Sequence, residues 1–315
     1  MITSKFKSSN GINDIYYYIY GDEIESPKAV VQISHGMMDY IKKYESLISY
    51  FNKNRIIVCG CDDLGHGKTG EESEFGFFAE KNGKECVLSD LHTLTRLVKE
   101  KYKNMPFFMV GHSMGSFFAR YYAYFFPNEL DGLIILGTSG SVRGTSFALL
   151  ILDVLMALNG KHKHLKGLEN FSSKSYFKYI DDKKSIRDWV TSRQDILDFY
   201  KNDNKSNFTF SLSAYHDMIK VLKFVSSNQW YKGLNKNLPI LLASGAHDPV
   251  GQYGSGVAEV YSRLEKNGQK DIQIKLYAKA RHELHNEQPN ITSQFFKDTL
   301  NWINERLIRD EKLER

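Results

Sequence analysis

Cysteine is nearly absent: Cys59, Cys61 and Cys86 are the only three in a chain of 315 residues. An odd, sparse set does not make the disulfide framework of a small secreted scaffold. Cys59 and Cys61 stand two apart in an apparent strand and so share a face. All three are read as small buried thiols in a reducing compartment. Long apolar runs are missing too. The longest, FALLILDVLMAL at 147–158, has twelve residues and includes Asp153, which is too short to cross a bilayer. The N-terminal stretch MITSKFKSSNGINDIYYYIYGDE has no apolar centre of signal-peptide type. The expectation is a cytoplasmic protein, able at most to touch membranes at their surface. The net charge of +5 is spread along the chain, with no basic stripe and no visible nucleic-acid module, so nucleic acid is not an expected partner. Internal repeats and low-complexity segments are also lacking.

What remains is an ordinary globular composition, 42% hydrophobic and 25% charged, with a high aromatic content of 13%. The length allows one large α/β domain with an insertion, or two domains. Residues 14–21 (DIYYYIYG) are β-branched and aromatic, as strands are. The runs 29–36, 55–62, 106–111 and 130–137 are short, nearly continuous and apolar, the pattern of buried parallel strands. Between them, 44–54, 84–102 and 114–126 carry helical spacing, the last stopped by Pro127. Strands and helices therefore alternate up to residue 137, the signature of a mostly parallel sheet with helices on both faces. Residues 138–235 break that rhythm with apparent helices and no obvious strand. It returns as a strand at 238–245, a helix at 255–267, a strand at 271–278 and a closing helix at 292–308. The expected organisation is an α/β core, 1–137 plus 236–315, with a helical cap inserted at 138–235.

One junction carries chemistry. Gly111-His112-Ser113-Met114-Gly115 fits G-x-S-x-G and lies between a strand and a helix. A serine on so sharp a turn needs small neighbours two residues away on either side. Its hydroxyl then stands clear of the sheet, and the Met114 N–H, at a helix N-terminus, can face a developing oxyanion. A serine nucleophile needs a base and an orienting acid, which in this arrangement follow in the order acid, then histidine. Asp248, after strand 238–245, and His282, after strand 271–278, occupy those places at the carboxyl ends of strands. His285 competes as the base. His247 precedes the acid and is a poor base, and Asp271 and Glu283 are weaker acids. A second oxyanion donor is expected from the turn ISHGMMDY at 33–40, with Met37 as the candidate and Gly36 letting the backbone come close. Gly36 and His112 are also candidate substrate-binding positions.

The motifs SHGM, CDDLGHGKT, VGHSMGS, GAHDPVG and ARHELHNE, in that order, resemble the α/β-hydrolase superfamily and within it the monoacylglycerol lipase and lysophospholipase branch, which is serine aminopeptidase-like. The resemblance covers about residues 10–308. It implies a Ser113–Asp248–His282 triad, an oxyanion hole at Met37 and Met114, no cofactor, no metal, and a helical cap between the sixth strand and the acid. Leu64 departs from the pattern, since many bacterial relatives have arginine at that point of D-x-x-G-H-G.

Two other motifs lead elsewhere and fail. GHGKT would need glycine at position 62 to be a phosphate-binding loop, and Asp62 is there. KHKH at 161–164 sets lysines beside its histidines, which would repel a metal ion, so it reads as a solvated loop. The apolar run 147–158 followed by these cations suits an interfacial helix on anionic lipid, or a helix lining an acyl pocket. The function expected is a serine ester hydrolase acting on single-chain lipid esters, a monoacylglycerol or a lysophospholipid. Alternatives on the same machinery are a short-chain carboxylesterase, peptidase, thioesterase or acyltransferase, and on none of it a catalytically dead binding protein.

Overall fold

Four central strands are buried from end to end: β3 (Ala29–Ser34), β4 (Ile56–Cys61), β5 (Phe107–His112) and β6 (Gly132–Leu136). The computed structural model, which describes residues 1–165, 174–180 and 183–313, pairs them in parallel and adds β7 (Ile240–Gly245) and β8 (Ile272–Tyr277) in the same direction. Each apolar run is continuous because both faces of such a sheet are covered. Odd and even positions nevertheless serve different cores. Val30, Ile57, Met109, Leu133 and Leu242 join one cluster, and Val31, Val58, Val110, Ile134 and Leu241 join the other. The first face is covered by α3 (Gly83–Lys101), α4 (Met114–Phe125) and α9 (Ser255–Lys266), the second by α1 (Glu45–Lys53) and α10 (Pro289–Leu313). A short helix, α2 (Gly67–Glu71), follows the GHG turn. Cys59, Cys61 and Cys86 are free and buried.

The sheet has eight strands in the order β1-β2-β4-β3-β5-β6-β7-β8. The antiparallel β1 (Ile2–Lys7) and β2 (Asp14–Tyr20) form one edge. Sequence patterning finds β2 and misses β1, because ITSKFK has no apolar face to read: residues 3–5 and Lys7 are exposed. Its lysines suit an edge that must not recruit another strand. The order reverses at β3, which lies between β4 and β5. The carboxyl ends of β3 and β5 therefore flank the switch point, where a crevice opens in sheets of this kind.

Between β6 and β7 the chain contributes α5 (Thr145–Asn159), a single turn at Lys174–Phe177, α6 (Gln194–Asn202), α7 (Leu212–Val225) and α8 (Asn228–Gly233). Among the described residues it adds no strand to the sheet. Its later part is fully seated: Val221 and Val225 of α7 and Trp230 and Tyr231 of α8 are buried in the first core cluster. The Trp230 indole N–H donates to the Arg120 carbonyl at 2.7 Å, and the buried Arg120 guanidinium lies over its ring. Among the described residues no helix is long and apolar enough to cross a membrane.

Candidate active site

Ser113 is forced into its position by its neighbours. It has φ 54° and ψ −121°, a left-handed backbone conformation that non-glycine residues rarely hold and that costs about 1–3 kcal/mol. A side chain at Gly115 would sit 2.0 Å from the Ser34 carbonyl oxygen, and one at Gly111 would sit 2.5 Å from the Gly115 carbonyl oxygen. Both positions must be glycine for β3, β5 and α4 to meet this closely. The turn is pinned on both sides: Ser113 N–H donates to the Leu136 carbonyl at 3.0 Å, and the Ser113 carbonyl accepts from Ser116 N–H at 2.8 Å and its hydroxyl at 2.6 Å. The Met114 N–H opens α4, among the first-turn donors that a helix cannot pair internally.

The turn after β3 lies directly against this elbow. A Cβ at Gly36 would be 3.3 Å from both the Ser113 Cβ and the His112 Nδ1, and Met37, the next residue, is partly buried against the first core cluster. Sequence reasoning missed what holds this turn. The Tyr44 hydroxyl donates to Asp39 Oδ2 at 2.7 Å and accepts from Gly36 N–H at 3.3 Å. Its proton is thus committed to Asp39, and His112 Nδ1 donates to it at 2.9 Å. Lys43 Nζ closes the set 3.0 Å from Asp39 Oδ1. Burial pushes the Asp39 carboxyl up, but the Lys43 charge beside it leads the opposing causes and the group lies below the usual carboxylate range. The Asp39/Lys43 spacing of four was the available signal. His112 is buried and its pKa is pushed down to about 3 by that burial, with His282 and His285 adding, so it stays neutral.

Asp248 and His282 are brought together. His282 Nδ1 and Asp248 Oδ1 are 2.9 Å apart, and both side chains are buried. Asp248 Oδ1 also accepts from Val250 N–H at 2.9 Å, and Oδ2 from the Ser244 hydroxyl at 3.1 Å. Burial raises the Asp248 pKa, yet the His282 charge and these hydrogen bonds dominate and lower it. For His282 burial works downward, and the charge and hydrogen bond of Asp248, aided by Glu283 and Asp39, win: its pKa is raised. The His282 ring lies 4.8 Å from that of His112, the residue before Ser113, and 5.1 Å from that of Trp189. The imidazole therefore stands beside the elbow with its Nδ1 occupied by the acid.

The competing residues are engaged differently. His285 lies 5.0 Å from the His112 ring but stacks on Tyr44 at 4.4 Å, neither of its ring nitrogens has a hydrogen-bond partner among the described residues, and burial pushes its pKa down to about 3. His247 stacks on Tyr179 at 4.5 Å. Glu283 accepts from the Tyr200 hydroxyl at 2.6 Å, and Asp271 pairs with Arg306 ahead of β8. The D-x-x-G-H-G segment is structural. Asp62 accepts from Ile41 N–H, Lys68 N–H and the Tyr18 hydroxyl, and His66 is packed among Phe78, Phe208 and Phe210. Leu64 is buried in the core. Of KHKH, His162 bonds Glu74 and Glu80 and His164 bonds Glu74, so both histidines are tied to acidic neighbours.

Comparison with known proteins agrees with this architecture. The profile of the family described as serine aminopeptidase, S33, matches residues 25–289. A monoglyceride lipase homolog of Monkeypox virus is 26% identical over 302 residues, covering 94% of this chain and 96% of its own. The human monoglyceride lipase is 25% identical over 293 residues, covering 89% and 84%. A thermostable carboxyl esterase from Bacillus coagulans, solved in complex with glycerol, superposes with a TM-score of 0.91 at 31% identity over 97% of this chain and 98% of that one. The expected α/β-hydrolase fold, with its mostly parallel sheet, and the monoacylglycerol lipase branch are both borne out.

Proposed function

Because the chain belongs to the serine aminopeptidase S33 family of α/β hydrolases and is a serine ester hydrolase, we propose that it cleaves single-chain lipid esters, monoacylglycerols or lysophospholipids, through Ser113, His282 and Asp248. The observation that carries this reading is the buried Asp248–His282 pair, 2.9 Å apart, beside a strained serine elbow. Ser113 Oγ attacks the ester carbonyl while His282 Nε2 takes its proton. Asp248 fixes the tautomer and stabilises the imidazolium. The Met37 and Met114 N–H groups receive the oxyanion, and Gly36 and His112 border the carbonyl. Losing one such donor costs about 10²–10³ in turnover. Collapse of the tetrahedral intermediate passes the proton to the leaving alcohol and leaves an acyl-Ser113. Water, deprotonated by His282, then releases the fatty acid. No step uses a metal or cofactor.

The substrate class rests on relatives named monoglyceride lipase, and on the glycerol-bound esterase, since glycerol is the alcohol a monoacylglycerol would release. It rests also on α5, which is apolar nearly all round yet exposes Phe147 at 67% and Leu158 at 77% with only Leu152 buried. Such a helix suits a lipid surface. Residues 138–235 act as the cap over the 1–137 and 236–315 core, and the protein works in the cytoplasm with α5 as its peripheral membrane contact.

The test is hydrolysis of p-nitrophenyl esters from short to long acyl chains, with Ser113→Ala beside the native protein. Ser113-dependent rates that climb with chain length are expected. Rates confined to the shortest esters would make it a short-chain carboxylesterase. Reaction confined to amide or thioester substrates, or acyl transfer to alcohols in place of hydrolysis, would put it among the alternatives. No Ser113-dependent turnover at all would leave a binding protein.

A further inference from the structure

The loop that carries His282 is held by the insertion between β6 and β7. We propose that residues 188–193 form a positioning clamp for the catalytic imidazole, acting on turnover and not on substrate choice. The inference rests on the reading of His282 as the base.

Both chain neighbours of His282 are gripped by this one stretch. On one side, Arg281 donates from Nη1 to the Asp188 carbonyl at 2.6 Å and to the Thr191 carbonyl at 2.9 Å. On the other side, Glu283 N–H donates to the Val190 carbonyl at 2.8 Å. Glu287 completes the grip. Its carboxylate is fully buried. Oε1 accepts from Arg281 N–H at 2.9 Å and Ser192 N–H at 3.2 Å, and Oε2 from the Ser192 hydroxyl at 2.5 Å and Gln288 N–H at 3.1 Å. Thr191 adds a bond from its hydroxyl to the Asn286 carbonyl at 2.7 Å. Trp189, in the middle of the stretch, lays its ring 5.1 Å from the His282 imidazole.

A buried carboxylate is costly unless its oxygens are filled by donors. Here the donors are backbone and hydroxyl groups from two segments about ninety-five residues apart in sequence, so the carboxylate can be satisfied only when insertion and loop are docked. That makes the docked position of Arg281, and with it the position of His282, sharply defined. The imidazole itself is oriented by the bond between its Nδ1 and Asp248. A misplacement of about 1 Å in a reacting group can cost about 10²-fold in rate, whereas lining a substrate pocket would show first in KM. Arg281, Ser192 and Glu287 are thus positioning residues that act through His282.

The experiment measures kcat and KM with p-nitrophenyl butyrate for Ser192→Ala, Ser192→Thr and Arg281→Ala. Folding is followed by thermal melting and the wild-type nucleophile by stoichiometric labelling with a serine-directed phosphonate. Ser192→Ala leaves Glu287 Oε2 short of a donor and is expected to lower kcat about tenfold with KM within about twofold. Ser192→Thr keeps the hydroxyl and restores kcat to within about twofold. Arg281→Ala is expected to fall furthest, on the order of 10²-fold. If it does not fold, the Ser192 pair carries the test. Full kcat in folded Ser192→Ala, loss confined to KM, or no recovery in Ser192→Thr overturns the clamp while a labelled wild type leaves the hydrolase reading standing. A wild type with no Ser113 adduct overturns that reading and the clamp with it.

Discussion

Two parts of the same insertion are built in opposite ways. Residues 188–202 are bonded to the His282 loop by backbone and side chain, and Thr191, Leu197 and Tyr200 are buried. Helix α5 is apolar but exposed, held by Leu152, by Asp153 facing His216 at 3.2 Å, and by its packing on α7. Helices α7 and α8 side with the first kind, since Val221 and Val225 of α7 and Trp230 and Tyr231 of α8 belong to the main core. The difference teaches that an insertion need not move as one lid. The part that meets the His282 loop is tied to it by hydrogen bonds, and the part without such bonds is the one that leaves its apolar side chains exposed.

The largest effect that would sharpen this contrast is at His282, the proposed base. Asp248→Asn is expected to lower kcat about 10⁴-fold, because the imidazole loses its orienting charge. The same variant tests the electrostatics. Asp248 raises the His282 pKa, and in its proposed role as base His282 must be neutral to accept the serine proton. The acid limb of kcat/KM in the wild type should therefore lie above the ordinary histidine value of 6.5, and in Asp248→Asn the residual activity should have its limb at lower pH. A wild-type limb below that value would contradict the assignment.

Next in size is Trp230→Ala. It removes a fully buried indole from the seated half of the insertion and is expected to cost about 3–5 kcal/mol of stability, read as a lowered denaturant midpoint. A loss under about 1 kcal/mol would mean that α8 is as loosely held as α5. A polar version of α5, with Phe147, Leu150, Val154 and Leu158 all changed to serine, should by contrast melt close to wild type, since exposed substitutions are usually within about 0.5 kcal/mol each. It should keep its rate on a soluble short-chain ester and lose about tenfold or more on long-chain substrate in anionic vesicles. Equal loss on both substrates would break the contrast. The smallest effect is expected from His285→Ala, which should retain activity within a few-fold. Inactivation there, with His282→Ala still active, would move the base.

Much of the core was legible because its signals are local. Continuous apolar runs placed β3 to β7 to within a few residues, and the glycines around Ser113 fixed an elbow that no other residue type could form. Asp248 and His282 could be placed by their position after strands, though not as a bonded pair. What sequence could not show is long-range or weakly patterned. The strand Ile2–Lys7 has no apolar alternation, because it is an edge. The Tyr44–Asp39 support of the turn after β3 joins that turn to the start of α1, and Glu287 meets Ser192 across the chain. Such contacts leave no periodicity to read. The apolar run 147–158 was visible as a helix, but its exposure depends on which neighbours reach it.

The most direct test of the central claim is covalent labelling with a serine-directed phosphonate, followed by mass analysis of the peptide that contains Ser113. A single adduct on Ser113 is predicted, absent in Ser113→Ala and strongly slowed in His282→Ala. An adduct at another serine, or undiminished labelling in His282→Ala, would contradict the account.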